Sequence, residues 1–154
     1  MKEPCDECGW AQAGGRSGCR ERFDQFLARD FSDALYFRSH RLFVDAYALQ
    51  HPDEFCRSAK SLAAHLAGLA AIVETGASSA VGTDKLQRWL NGRSSLIKPA
   101  LPDPRGATTI GDLPADAAPA DWADAVRGWA ETVWQAYAEL HPVAREWLGQ
   151  AARS

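Results

Sequence analysis

Cys5 and Cys8 stand almost at the start of the chain, in the stretch CDECG. Asp6 and Glu7 separate them and Gly9 follows. Two thiolates offered from one tight turn are half of a tetrahedral metal site, because a zinc-type ion takes four such ligands. A third cysteine, Cys19, follows Cys8 after ten intervening residues, and the fourth, Cys56, lies much further on. The remaining ligand chemistry is imidazole. The chain has four histidines, and two of them sit in one block, HRLFVDAYALQHP, residues 40–52. On a helix His40, Phe43, Val44, Tyr47 and His51 fall on one face. Asp45 points away from it, about 140° from His40 at ~100° per residue. His40 and His51 cannot share an ion on a continuous helix: eleven residues rise ~16 Å, against metal–nitrogen bonds of ~2 Å.

The elements that must bring ligands together are helical. Residues 9–18, GWAQAGGRSG, read as a glycine-rich loop. From about Cys19, Phe23, Phe26 and Leu27 recur at helical spacing until about Asp30. Ser32 or Asp33 is a candidate N-cap for a second helix that runs to Gln50 or His51, where Pro52 stops it. Ser58 caps a third helix with Leu62, Leu66, Leu69 and Val73 as its buried stripe and Gly76 as its terminator. A shorter helix covers about Thr83 to Leu90. Residues 92–120 carry five prolines, Pro99, Pro102, Pro104, Pro114 and Pro119, and read as an irregular connection with a brief extended piece at ATTI. The last helix starts near Asp121 and buries Trp122, Val126, Trp129, Val133, Tyr137 and Leu140. Trp134 falls off the centre of that stripe, and His141 marks a helix boundary at Pro142. The expected fold is all-α: a bundle of about four to five helices forming one domain over 1–154, with residues 1–18 a CxxC metal-binding loop.

An antiparallel pairing of the first two helices, turning near residues 30–33, completes the site. Cys19 then lies opposite Val44 or Asp45, with His51 one to two turns beyond, at the end where the N-terminal loop lies. The predicted ligands are Cys5, Cys8, Cys19 and His51, a Cys3His set of the structural zinc type. Gly9 eases the turn, and a helix N-terminus at Cys19 would favour its thiolate. Cys56 is the rival fourth ligand and is otherwise a small buried apolar residue. A redox CxxC would need a βαβ setting, which the pattern lacks.

His40 points to a second place. A hairpin of the second and third helices sets His65 within one turn of it. His40, His65 and Tyr47, with Asp45 at the edge, would line a polar pocket in the bundle core. That pocket is either a catalytic or second metal site or a pair of satisfied core histidines. No Ser–His–Asp order, phosphate-binding glycine loop or Glu-x-x-His motif names a reaction.

Composition bounds the rest. A net charge of -3 gives no basic footprint for nucleic acid or anionic lipid. No apolar run reaches a membrane span, and MKEPCDECGW lacks a secretory leader. The expected location is the cytoplasm, where the cysteines are thiols or metal ligands rather than disulfides. The tryptophans read as core, and the aromatic last helix is a candidate face for a homodimer.

CDECG, GCRERFDQFLARDFSD, HRLFVDAYALQHP, SLAAHLAGL and PRGATTIGDL together resemble a bacterial family that carries only a domain-of-unknown-function label. The resemblance runs from about Cys5 to Leu148. It implies that Cys5, Cys8, Cys19, His40, Asp45, Tyr47, Gln50, His51 and His65 occupy the family's motif positions. Cys56 does not fit that pattern. No activity comes with the resemblance. Two classes of function stand: a zinc-stabilised helical module that binds a protein partner or small ligand, and a small metal-dependent enzyme with a core site around His40, Tyr47 and His65.

Overall fold

The computed structural model describes residues 2–76, 79–92, 95–103 and 106–154, with the backbone alone over 79–83. The described residues form helices and connections with no strand. In chain order the helices are α1 (Gly15–Ser32), α2 (Ala34–Phe37), α3 (His40–Gln50), α4 (Pro52–Phe55), α5 (Ala59–Thr75), α6 (Ser79–Gly92), α7 (Pro119–Ala136) and α8 (His141–Arg153), with short 3-10 turns at Ile110–Asp112 and Ala138–Leu140. The all-α bundle expected from the pattern is present. The number of helices is higher than expected because α2 and α4 are single turns and α8 is a separate helix after the turn Ala138–Leu140.

α3 and α5 are the central pair. α7 packs on α3, while α6 and α8 pack on α5. Phe43, Leu49, Leu62, Leu66, Trp122 and Val126 are sealed from solvent between them. Each such side chain contributes about 1.5–3 kcal/mol by leaving water. The aromatic face of α7 is therefore inside the chain, which removes it as a dimer face. Trp134 is buried too, stacked on His141 with ring centroids 3.7 Å apart.

Local chemistry explains where the helices start and stop. Asp33 is extended and its carboxylate accepts from the Leu35 N–H, so the chain turns there as expected. The second helix does not run through, however. It breaks at Arg38 and Ser39 and restarts at His40. Ser58 and Ser61 form a reciprocal capping box at the start of α5, and Gly76 ends it in the left-handed region at φ 67°. α1 begins at Gly15, a full turn before Cys19, which places that cysteine beyond the first turn where the helix dipole acts. α6 begins at Ser79 rather than near Thr83, and α7 at Pro119, a proline at the first helical position.

The proline-rich connection is anchored, not slack. Thr109 is extended but unpaired with any strand, and it caps the turn Ile110–Asp112. Gln50 donates from Nε2 to the Thr108 carbonyl at 2.7 Å and accepts from Trp129 Nε1 at 3.0 Å. One buried amide thus ties α3, α7 and the connection together. Pro104 lies outside the described residues.

Candidate metal centre

The CxxCG stretch is held in a tight turn. The Gly9 N–H donates to the Cys5 carbonyl at 2.9 Å, and the Cys5 N–H donates to the Trp10 carbonyl at 3.0 Å. Gly9 takes φ 86°, a conformation open to glycine at little cost. The loop is then clipped to α1, because the Gly14 and Gly15 N–H groups both donate to the Glu3 carbonyl, at 2.8 and 2.7 Å. Gly18 lets this happen: a Cβ there would run into the Ala13 carbonyl. The next residue is Cys19, so this close approach sets its sulfur against the turn.

His51 arrives from the other side. Pro52 disfavours the helical conformation for the residue before it, and His51 leaves α3 at φ -130° and ψ 56°. Its Nδ1–H donates back to the Tyr47 carbonyl at 2.7 Å. That leaves Nε2 to face the sulfurs, and it lies 3.3 Å from Cys19 Sγ. Cys8 Sγ and Cys19 Sγ are 3.8 Å apart. One donor atom from each of Cys5, Cys8, Cys19 and His51 lies within 4.8 Å of all the others. The four residues named from the sequence converge, and this Cys3His cluster can hold a metal ion.

Aromatic rings wall the site. Tyr47 stacks on His51 at 3.8 Å and on Phe23 at 4.0 Å, with Phe55 edge-on to both Phe23 and Tyr47. The Tyr47 hydroxyl donates to Cys19 Sγ at 3.6 Å. Cys5, Cys19 and His51 are at most 3% exposed. At the surface, Arg16 pairs with Asp6 and Asp53, and Glu7 accepts from the Asp53 N–H at 2.9 Å, which joins the loop to α4.

The titration of the cluster follows from this packing. The bond to Cys19 and burial push the Cys8 thiol up to about 12. Burial pulls His51 down, but its bonds to Cys5 and Cys8, the charge on Cys8 and the Tyr47 carbonyl outweigh it and lift the ring to about 9. Burial and the bond to Cys19 raise the Tyr47 phenol well above the ordinary tyrosine range. A metal ion bound here must displace the protons of the thiols it takes as ligands.

Cys56 is not in the cluster. It is fully buried, and its thiol donates to the Ala48 carbonyl at 3.5 Å. Nor does Tyr47 join His40 and His65, since it belongs to the cysteine site. His40 and His65 do line one cavity, of about 220 Å³, together with Arg41, Val44, Asp45, Ala64, Leu86, Gln87 and Leu90. Asp45 is not at its edge but wholly buried: it accepts from His65 Nδ1 at 2.9 Å and from Arg41 Nε at 2.8 Å. His40 Nδ1 bonds Asp30 at 3.1 Å. Burial raises the Asp30 carboxyl above its usual range, and His40 opposes that rise. Asp30 and Arg41 were not expected as partners. The signal was a buried-face aspartate at the end of α1 and an Arg four residues before Asp45, a pair that a helix brings together.

No helix among the described residues is long and apolar enough to cross a membrane. No curated protein and no solved structure matches the chain. A family of unknown function, DUF5946, matches residues 3–138, a span that covers the whole metal centre, both histidines of the cavity and α7. The chain belongs to the DUF5946 family of unknown function.

Proposed function

We propose that Cys5, Cys8, Cys19 and His51 bind one zinc ion, and that the ion is structural. It fastens residues 2–14 to α1 and to the junction of α3 and α4. One observation carries this reading: the spacing of the donor atoms. Ligands of a tetrahedral zinc lie about 3.8 Å apart between sulfurs and about 3.5 Å apart between sulfur and nitrogen, from bonds of ~2.3 and ~2.0 Å. Here Cys8 Sγ–Cys19 Sγ and Cys19 Sγ–His51 Nε2 are 3.8 and 3.3 Å apart, and all four donor atoms lie within 4.8 Å of one another. Three soft thiolates and an imidazole suit zinc over hard cations such as magnesium or calcium. The Nδ1 bond of His51 to a backbone carbonyl is the usual second partner of a metal-binding imidazole.

Four protein ligands leave no position for a water to be activated. His40 and His65, the best acid–base groups, face a cavity that includes none of the four. Both facts favour a zinc-stabilised binding module over a metal-dependent enzyme. The zinc adds its binding energy to folding, and residues 1–154 fold as one domain around it. Reduced thiols fit a cytoplasmic setting.

Elemental analysis of protein purified without chelator tests the reading. About one zinc per chain, lost in Cys8→Ala and weakened in His51→Ala but kept in His40→Ala, supports it. A metal kept in Cys8→Ala and lost in His40→Ala moves the site to the cavity. No metal at all removes the module.

A further inference from the structure

The cavity between α3, α5 and α6 has a chemistry of its own. His65 and His40 each turn Nδ1 towards a buried carboxylate, Asp45 and Asp30 respectively. In the neutral ring that bond fixes the proton on Nδ1 and leaves Nε2 as an acceptor. Neither Nε2 has a protein partner among the described residues. Gln87 donates from Nε2 to Asn91 at 3.0 Å, which leaves its carbonyl oxygen as a third acceptor. The permanent cation in the wall, Arg41, is committed: Nε to Asp45 at 2.8 Å and one terminal nitrogen to the Ala64 carbonyl at 2.9 Å. Gly68 makes room for this ion pair, since a Cβ there would overlap the guanidinium. The remaining walls, Val44, Leu86 and Leu90, are apolar.

We propose that this cavity binds a small organic cation bearing N–H donors, a primary amine, amidine or guanidine, through His40 Nε2, His65 Nε2 and the Gln87 carbonyl oxygen. A volume of about 220 Å³ admits a ligand of only a few atoms beyond its polar head. Phe31 and Phe37 pack on His40, at 5.0 and 4.7 Å between ring centroids, and are themselves 70% and 44% exposed. Aromatic surface thus adjoins the site at that ring, as a flat or apolar tail would need. An anion would meet acceptors and a guanidinium already paired. The proposal does not depend on the zinc reading, and its failure leaves the metal held by the four-residue cysteine site unchanged.

The test titrates the full-length, metal-loaded protein with benzamidine at about pH 8, above the ordinary imidazole range. Benzoate, of the same shape and opposite charge, is the control. Imidazole resonances and calorimetry are the readouts. Benzamidine is expected to shift His40 and His65 and to leave His51 and His141 in place. His65→Leu should weaken binding about tenfold or more, the loss of one charge-assisted hydrogen bond. Ala64→Leu, which fills the cavity and keeps all three acceptors, should abolish it and guards against a folding artefact in the first variant. Shifts by benzoate as large as those by benzamidine would overturn the proposal. So would no shift with benzamidine at about 10 mM, a weak-binding concentration, or a second equivalent of zinc captured by the two rings in its place.

Discussion

The Nδ1–H of His51 donates to the carbonyl of Tyr47, one turn back along α3, at 2.7 Å. This bond decides which nitrogen the cysteines meet. Tyr47 also stacks on the same ring and donates its hydroxyl to Cys19. On the zinc reading proposed above, His51 is a ligand and Tyr47 its support, and their variants should differ. His51→Ala removes a ligand, and competition with a chelator should reveal a fall in metal affinity of more than about 100-fold. Tyr47→Phe keeps the stack and loses one hydroxyl, so the fall should stay near the ~10-fold typical of an outer partner. Equal losses would mean that Tyr47 acts on the metal as directly as His51 does.

Gly18 and Gly128 make a matched pair. Both lie within long helices. A Cβ at Gly18 strikes the Ala13 carbonyl, whereas one at Gly128 meets nothing. Gly18→Ala is expected to cost about 1–3 kcal/mol of stability from overpacking and to loosen the metal, because it pushes the CxxC turn off α1. Gly128→Ala should instead stabilise by about 0.4–1 kcal/mol with metal content unchanged. Urea unfolding with metal analysis checks both. A tolerated Gly18→Ala would mean that the loop does not lie against α1 as described.

The cysteine site was legible in the sequence because its residues sit beside strong local signals. CxxCG specifies a turn, Pro52 ends α3 at His51, and the reversal at Asp33 sets the two helices side by side. The break at Arg38 and Ser39 was not legible, since RSHRLF carries neither proline nor glycine. There the tertiary contacts of the α1–α2 corner override propensity. The sequence places Asp45 at the edge of the histidine pocket but not under it, where it accepts from His65. Asp30 was hidden: it is a charged residue on a helix, and a pattern argument puts such residues outside. Only the fold reveals that it faces His40. Cys56 looked like a ligand by type, and its bond to the Ala48 carbonyl shows a packed thiol.

Gln50 separates folding from metal binding. It is next to His51 in sequence, but its amide faces the other way, towards Trp129 and Thr108. Gln50→Ala leaves a buried indole N–H and a carbonyl without their partner. Each unsatisfied group costs about 1–3 kcal/mol, so a loss of roughly 2–6 kcal/mol is expected in urea unfolding. Zinc content per folded chain should not change. A drop in metal matching that of His51→Ala would show that the α3–α7 tie, and not the local turn at Pro52, sets the ligand.

Glu74 on α5 and Arg145 on α8 form a two-pronged ion pair, at 2.9 and 2.7 Å. The guanidinium holds the Glu74 carboxyl below its usual value. A carboxyl whose pKa falls on folding stabilises the protein above its unfolded value, about 4.3. That contribution is lost as pH drops through the folded value. The pair is largely open to water, which limits it to about 0.2–1 kcal/mol. Glu74→Gln should therefore be less stable than the parent by that amount at neutral pH. The gap should close as pH falls below about 4, and added salt should narrow it. Reading the difference between the two proteins, rather than either alone, cancels the effect of acid on the cysteine site, which both share. A gap that persists in acid would assign the effect to packing of the Glu74 side chain between α5 and α8 and not to its charge.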